Sequence, residues 1–122
     1  MPINFGKLLK KHRVALGITL RQFCIDNGFD ASNFSRMERG YYPPPQAREK
    51  LEEYAKAVGL VDGTDEWFNF FDMAAAERGE IPQDLLDDVQ LMDKLPLLFR
   101  TMRQQKIDGN ELDDLIEKIR RS

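Results

Sequence analysis

The 122 residues include one cysteine, one histidine and one tryptophan, and no stretch alternates apolar with polar residues in the manner of a strand. Each shortage closes a class of explanation. A lone Cys24 cannot form an intramolecular disulfide, and with His12 as the single imidazole the chain holds no zinc ligand set. The same scarcity leaves no Cys/His or Ser/His/Asp constellation, the phosphate-cradling glycine loop is missing, and the carboxylates have no focus. Neither an enzyme nor a cofactor or metal is expected. No run approaches the roughly 18 apolar residues of a membrane span. The opening MPINFGKLLKKHR lacks the apolar core of an export signal, so a cytoplasmic protein without a membrane partner is expected. The length suits one domain, or one small domain with a helical extension.

What is present is unevenly placed. The net charge of −3 conceals a first half, residues 1–50, with nine Lys/Arg against four Asp/Glu, and a remainder with nine against seventeen. The halves are therefore +5 and −8. A polyanion is a natural partner for the first, and a basic protein for the second, unless the acidic residues serve only solubility.

Apolar residues recur at helical spacing throughout. A first helix is expected over 4–16, with Phe5, Leu8, Leu9, Val14 and Leu16 as its apolar positions and Gly17 as its stop. Thr19 caps a second helix carrying Leu20, Phe23 and Cys24, which ends at Asn27-Gly28. A third starts at Asp30 or Ser32, carries Phe34 and Met37 and closes at Gly40. The run Pro43-Pro44-Pro45 marks a firm boundary before a fourth helix with Leu51, Tyr54, Ala55 and Val58. A fifth follows Thr64, and its four aromatics in five residues (Trp67, Phe68, Phe70, Phe71) predict burial on more than one side, as core and not as a ligand box. After Ile81-Pro82 comes a helix or helix pair through residue 104, with Pro96 as a candidate bend, then an amphipathic helix over 110–121. The expected fold is all-α, with a five-helix domain at 1–76 and an acidic helical extension at 77–122 for dimerisation or partner binding.

Two helices separated by a short turn containing a glycine form a helix-turn-helix. In TLRQFCIDNGFDASNFSRMERG, Gly28 frees the backbone for a left-handed turn and Cys24 is small enough for a close helix crossing. Phe29, Phe34 and Met37 fill the space beneath the third helix and leave Ala31, Ser32, Asn33, Ser35 and Arg36 outside. A short helix with a polar face fits the major groove of B-form DNA.

From Ile18 to Gly40, through the closing Ser-Arg-Met-Glu-Arg-Gly, the sequence resembles without gaps the Cro/phage-repressor (XRE-like) helix-turn-helix family. The resemblance implies a five-helix Cro/repressor-like domain that reads double-stranded operator DNA as a homodimer, bound at the nucleoid. By position, Ala31, Ser32 and Arg36 are base-edge candidates, and Asn33 touches a base or a phosphate. An Arg36–guanine fork is worth roughly 1–3 kcal/mol of discrimination. Backbone contacts fall to Thr19, Arg21, Ser35, Arg39, Tyr41 and Tyr42, with the two tyrosines also able to cover the core edge. Where the family often carries glutamine this chain has Leu20, and Arg21 is the neighbouring substitute. Arg13 and Glu38 take the places of a buried ion pair between the first and third helices.

Half-sites about 34 Å apart need a dimer surface. The aromatic helix after Thr64 competes for that role with VQLMDKLPLLFRTMRQQ, where Leu95, Leu98, Phe99 and Met102 recur at i, i+3, i+4 and i+7. The layout of the whole chain resembles antitoxins of the HigA kind. That alternative implies an antitoxin of a type II toxin–antitoxin module, which neutralises a basic toxin and represses its own operon.

Overall fold

The computed structural model describes residues 4–121, and these contain eight α-helices and no strand. The helices are α1 (Phe5–Ala15), α2 (Leu20–Asn27), α3 (Ala31–Glu38), α4 (Arg48–Ala57), α5 (Asp65–Arg78), α6 (Gln83–Leu86), α7 (Val89–Gln105) and α8 (Gly109–Arg121). The chain is all-α, as expected. It divides into two compact units, Met1–Pro82 with α1–α5 and Gln83–Ser122 with α6–α8.

The division follows Pro82, whereas the sequence placed it after residue 76. Residue 76 lies inside α5, and the last turn of that helix is tied into the first unit. The Phe5 backbone N–H donates to Glu77 Oε1 at 2.7 Å, satisfying one of the orphan donors at the start of α1. Arg78 Nη1 donates to the Pro44 carbonyl at 2.8 Å.

Side-chain caps set most helix starts. Asn4, Thr19, Asp30, Thr64 and Asp88 each accept a hydrogen bond from the backbone N–H three residues on, at the heads of α1, α2, α3, α5 and α7. The core they deliver lies in the first unit. Its largest fully buried side chains are Phe5, Leu9, Phe23, Cys24, Phe34 and Phe70, and Phe5 meets Phe70 with ring centroids 4.9 Å apart. Each such side chain contributes about 1.5–3 kcal/mol by leaving water.

Two expectations about this core change. Val14 and Leu16 are exposed, because the inward position near the end of α1 belongs to the buried Arg13, one turn after Leu9. Helix α5 is buried along one stripe only, Trp67, Phe70, Phe71 and Ala74. Adjacent residues sit about 100° apart around a helix, so three of the four aromatics share the stripe and Phe68 is left 46% exposed.

Two helices approach closely at Gly6, a position the sequence did not single out. A Cβ there would overlap the carbonyl oxygens of Met37 and Glu38, so α1 lies directly against the backbone of the last turn of α3. Neither carbonyl can move without moving α3.

In the second unit α7 runs unbroken through Pro96, although proline cannot supply the N–H that the Met92 carbonyl would accept. The short α6 was not expected. None of the unit's described residues is buried. Nor is this extension where the acidity lies: residues 83–122 hold nine acidic and seven basic side chains, whereas 51–82 hold eight and two. The negative charge belongs to the α4–α5 region of the first unit.

Gly6→Ala is expected to cost about 1–3 kcal/mol through overpacking. Gly109→Ala, where an added Cβ meets nothing, is the control and should leave the urea midpoint unchanged or raised.

Candidate nucleic-acid interface

Three residues, Gly28, Phe29 and Asp30, turn the chain between α2 and α3. Gly28 has φ 70°, the left-handed value that costs glycine nothing, and the Phe29 N–H closes the turn on the Cys24 carbonyl at 2.9 Å. Phe29 then anchors the turn. Its ring stacks on Phe34 at 5.7 Å and meets Tyr54 of α4 edge-on at 5.0 Å. Asp30 accepts from the Asn33 N–H at 2.9 Å and starts α3.

With Phe34 and Met37 buried beneath it, α3 presents Ala31, Ser32, Asn33, Arg36 and Arg39 to solvent, and Ser35 half-exposed. Ala31, Ser32, Ser35, Arg36 and Arg39 line one shallow depression on this face. Arg36 lies 3.4 Å from Asn33 Oδ1 and 5.9 Å from the Tyr42 ring centroid. Arg39 lies 5.0 Å over Tyr41. Both tyrosines are exposed, and each backs an arginine.

The orientation of α3 is fixed by Arg13 and Glu38. Arg13 Nε donates to Glu38 Oε2 at 2.7 Å and Nη2 to Oε1 at 3.0 Å, a bidentate fork with both side chains buried. Nη1 donates to the Ile18 carbonyl at 3.0 Å, so one guanidinium ties α1, α3 and the approach to α2. The Glu38 hydrogen bond raises the Arg13 pKa further, keeping the guanidinium charged.

A second groove adjoins the first through Ser35 and Arg39. It is lined by Lys7 and Lys10 of α1, Leu20 at the start of α2, and Tyr41, with the ion pair in its wall. Sequence reasoning counted Lys7 and Lys10 only as bulk charge. Their spacing was the available signal, since residues 7, 10 and 13 recur every third position along one flank of α1. Thr19 is exposed and uses its hydroxyl oxygen as the α2 cap. Arg21 is exposed on α2 but lines neither depression. In the second unit Leu95 and Met102 are half-buried, while Leu98 and Phe99 are exposed.

In comparisons with family models, curated proteins and solved structures, nothing matches the chain. Geometry and charge carry the reading. Burial pushes the Cys24 thiol pKa up, which suits a packing residue and not a nucleophile. Burial also pulls His12 down, favouring its neutral form. Among the described residues no group of three His, Cys, Asp or Glu is placed to hold a metal ion.

Glu38→Ala strands a buried guanidinium and is expected to lower stability by about 3–5 kcal/mol, whereas Arg13→Met with Glu38→Leu should recover most of that loss in urea unfolding. Cys24 should resist a thiol reagent in the native protein and react once denaturant unfolds it. Rapid native labelling would contradict its burial.

Proposed function

We propose that the chain is a sequence-specific DNA-binding transcriptional regulator, a repressor that occupies operator DNA as a homodimer with α3 in the major groove. The carrying observation is the arrangement of α3. Its outward face is small, polar and basic, its inward face is locked by Phe34, Met37 and the Arg13–Glu38 pair, and the adjoining groove brings Lys7, Lys10 and Arg39 together. The ungapped resemblance of Ile18–Gly40 to the repressor helix-turn-helix supports the same reading.

The chemistry divides along the two depressions. Arg36 offers a planar fork to guanine O6 and N7, and Ser32 and Asn33 offer hydrogen bonds to base edges. Ala31 leaves room for close approach or packs against a thymine methyl. Lys7, Lys10, Arg39 and Tyr41 are placed for phosphates, which position the protein without reading sequence. The net +5 of residues 1–50 supplies the nonspecific, salt-dependent attraction.

A second reading, the toxin-neutralising antitoxin, is favoured by one observation. Phe68 is exposed on α5 among the acidic residues of a segment, 51–82, whose net charge is −6. An exposed aromatic in an acidic segment suits a basic protein surface.

Selection of bound duplexes from a randomised DNA library tests the first reading. The wild-type chain should enrich one two-fold-symmetric sequence. Arg36→Ala should lose about fivefold to 150-fold of preference at one base pair in each half-site. Lys7→Ala or Lys10→Ala should weaken all sequences alike and reduce the salt slope by about 1. Enrichment of no sequence would remove the proposal. Recovery of a stable basic partner whose binding is lost in Phe68→Ser would favour the second reading.

A further inference from the structure

The second unit is short of interior. It spans 40 residues with none of the described ones buried, a size at which isolated chains rely on oligomerisation or cross-links. Nine of the sixteen exposed large hydrophobics among the described residues belong to it, Leu115, Ile116 and Ile119 among them. The pattern of α8 says what covers part of this surface.

Leu112, Leu115, Ile116 and Ile119 form a stripe at i, i+3, i+4 and i+7. The spacing of the stripe is symmetric about its middle, with two leucines before the point between residues 115 and 116 and two isoleucines after it. One flank carries Glu111 and, a heptad later, Lys118; the other carries Asp113 and, a heptad later, Arg120. Glu117 and Arg121 bond each other at 3.3 Å on the far side of the helix.

We propose that α8 pairs antiparallel with α8 of a second copy of this chain. Rotation about the midpoint of the stripe sets Leu112 against Ile119 of the partner and Leu115 against Ile116. The same rotation, with no further adjustment, brings Glu111 to Lys118 and Asp113 to Arg120 of the other copy, so four opposite-charge contacts flank a closed apolar seam. In a parallel pair the same flanks set Glu111 beside Asp113 and Lys118 beside Arg120, like against like. The sequence therefore specifies direction as well as contact. The near balance of charge in the unit, nine acidic and seven basic, allows two copies to approach without strong repulsion and offers a basic protein little. This pairing supplies the dimer surface that the DNA-binding proposal leaves open, and it is read without DNA.

Sedimentation of the full chain tests it. The wild type should sediment as a dimer in the micromolar range. Ile116→Asp, at an exposed position, should keep its helical circular dichroism and weaken the dimer at least about tenfold, the cost of burying an unpaired charge. Two half reversals, Glu111→Lys with Asp113→Lys and Lys118→Glu with Arg120→Glu, should each be monomeric alone and associate when mixed. The chain carrying all four changes should again be a homodimer. A monomeric wild type would overturn the proposal. Unchanged self-association in either half reversal would overturn it too. A failed operator selection leaves this outcome untouched, and a monomer here leaves the assignment of α3 untouched.

Discussion

The rigid contact between α1 and α3 is the constraint on which the first unit depends. An eight-residue helix has no stability of its own in water, because nucleation outweighs the few hydrogen bonds it can close. Helix α3 therefore exists in the orientation that its neighbours impose. Gly6 lets the backbones touch near the start of α1, and the Arg13–Glu38 fork holds them near its end. Both contacts meet the last turn of α3 and, with Phe34 and Met37 packed beneath the helix, hold it in place. The distance from Lys7 and Lys10 to Ser32 and Arg36 becomes a property of the fold and not of side-chain flexibility.

Charge is organised on the same scale. Basic side chains collect on α1 and on the exposed face of α3 and its end, α4 carries three of each sign, α5 holds four carboxylates against one arginine, and the second unit is nearly balanced. A charge dipole within a small domain orients it toward a polyanion before contact, and it disfavours binding through the acidic region. The arginines on α3 are also partly ordered in advance. Arg36 against Tyr42 and Arg39 against Tyr41 have given up some rotamer freedom before any ligand arrives, and that lowers the entropy lost on binding.

Much of this was legible in the residues, for reasons that differ by element. Caps and turns are local chemistry, so Thr19, Gly28 and Asp30 marked the break between α2 and α3 without any tertiary knowledge. The inward positions of Phe34 and Met37 followed from period alone. What escaped was nonlocal. Gly6 reads as an ordinary small residue until the carbonyls of Met37 and Glu38 are seen beside it, and the reach of the first unit to Pro82 depends on Glu77 and Arg78 finding partners more than thirty residues away. Phe68 was assigned to a core because its neighbours in sequence belong there; a period of 3.6 separates adjacent residues more than composition suggests. The two depressions could be anticipated only in part. Arg36 and Ser32 came from the motif, while Lys7 and Lys10 join the surface through the packing of α1.

The caps on the two helices of the turn differ in charge, and that difference sorts their ends. Asp30 places a carboxylate on the first free N–H groups of α3, so a phosphate approaching that end meets an anion. Thr19 does the same work at α2 with a neutral hydroxyl, which leaves the positive end of that helix's dipole unopposed. Under the proposed DNA-binding role, the α3 end would repel the sugar-phosphate rail and be left to the interior of a groove, where an amino group of cytosine or adenine is a better neighbour for a carboxylate. The other can rest against the rail itself. A single choice between two capping residues, each adequate for starting a helix, is enough to give the two helix ends opposite preferences for an anion.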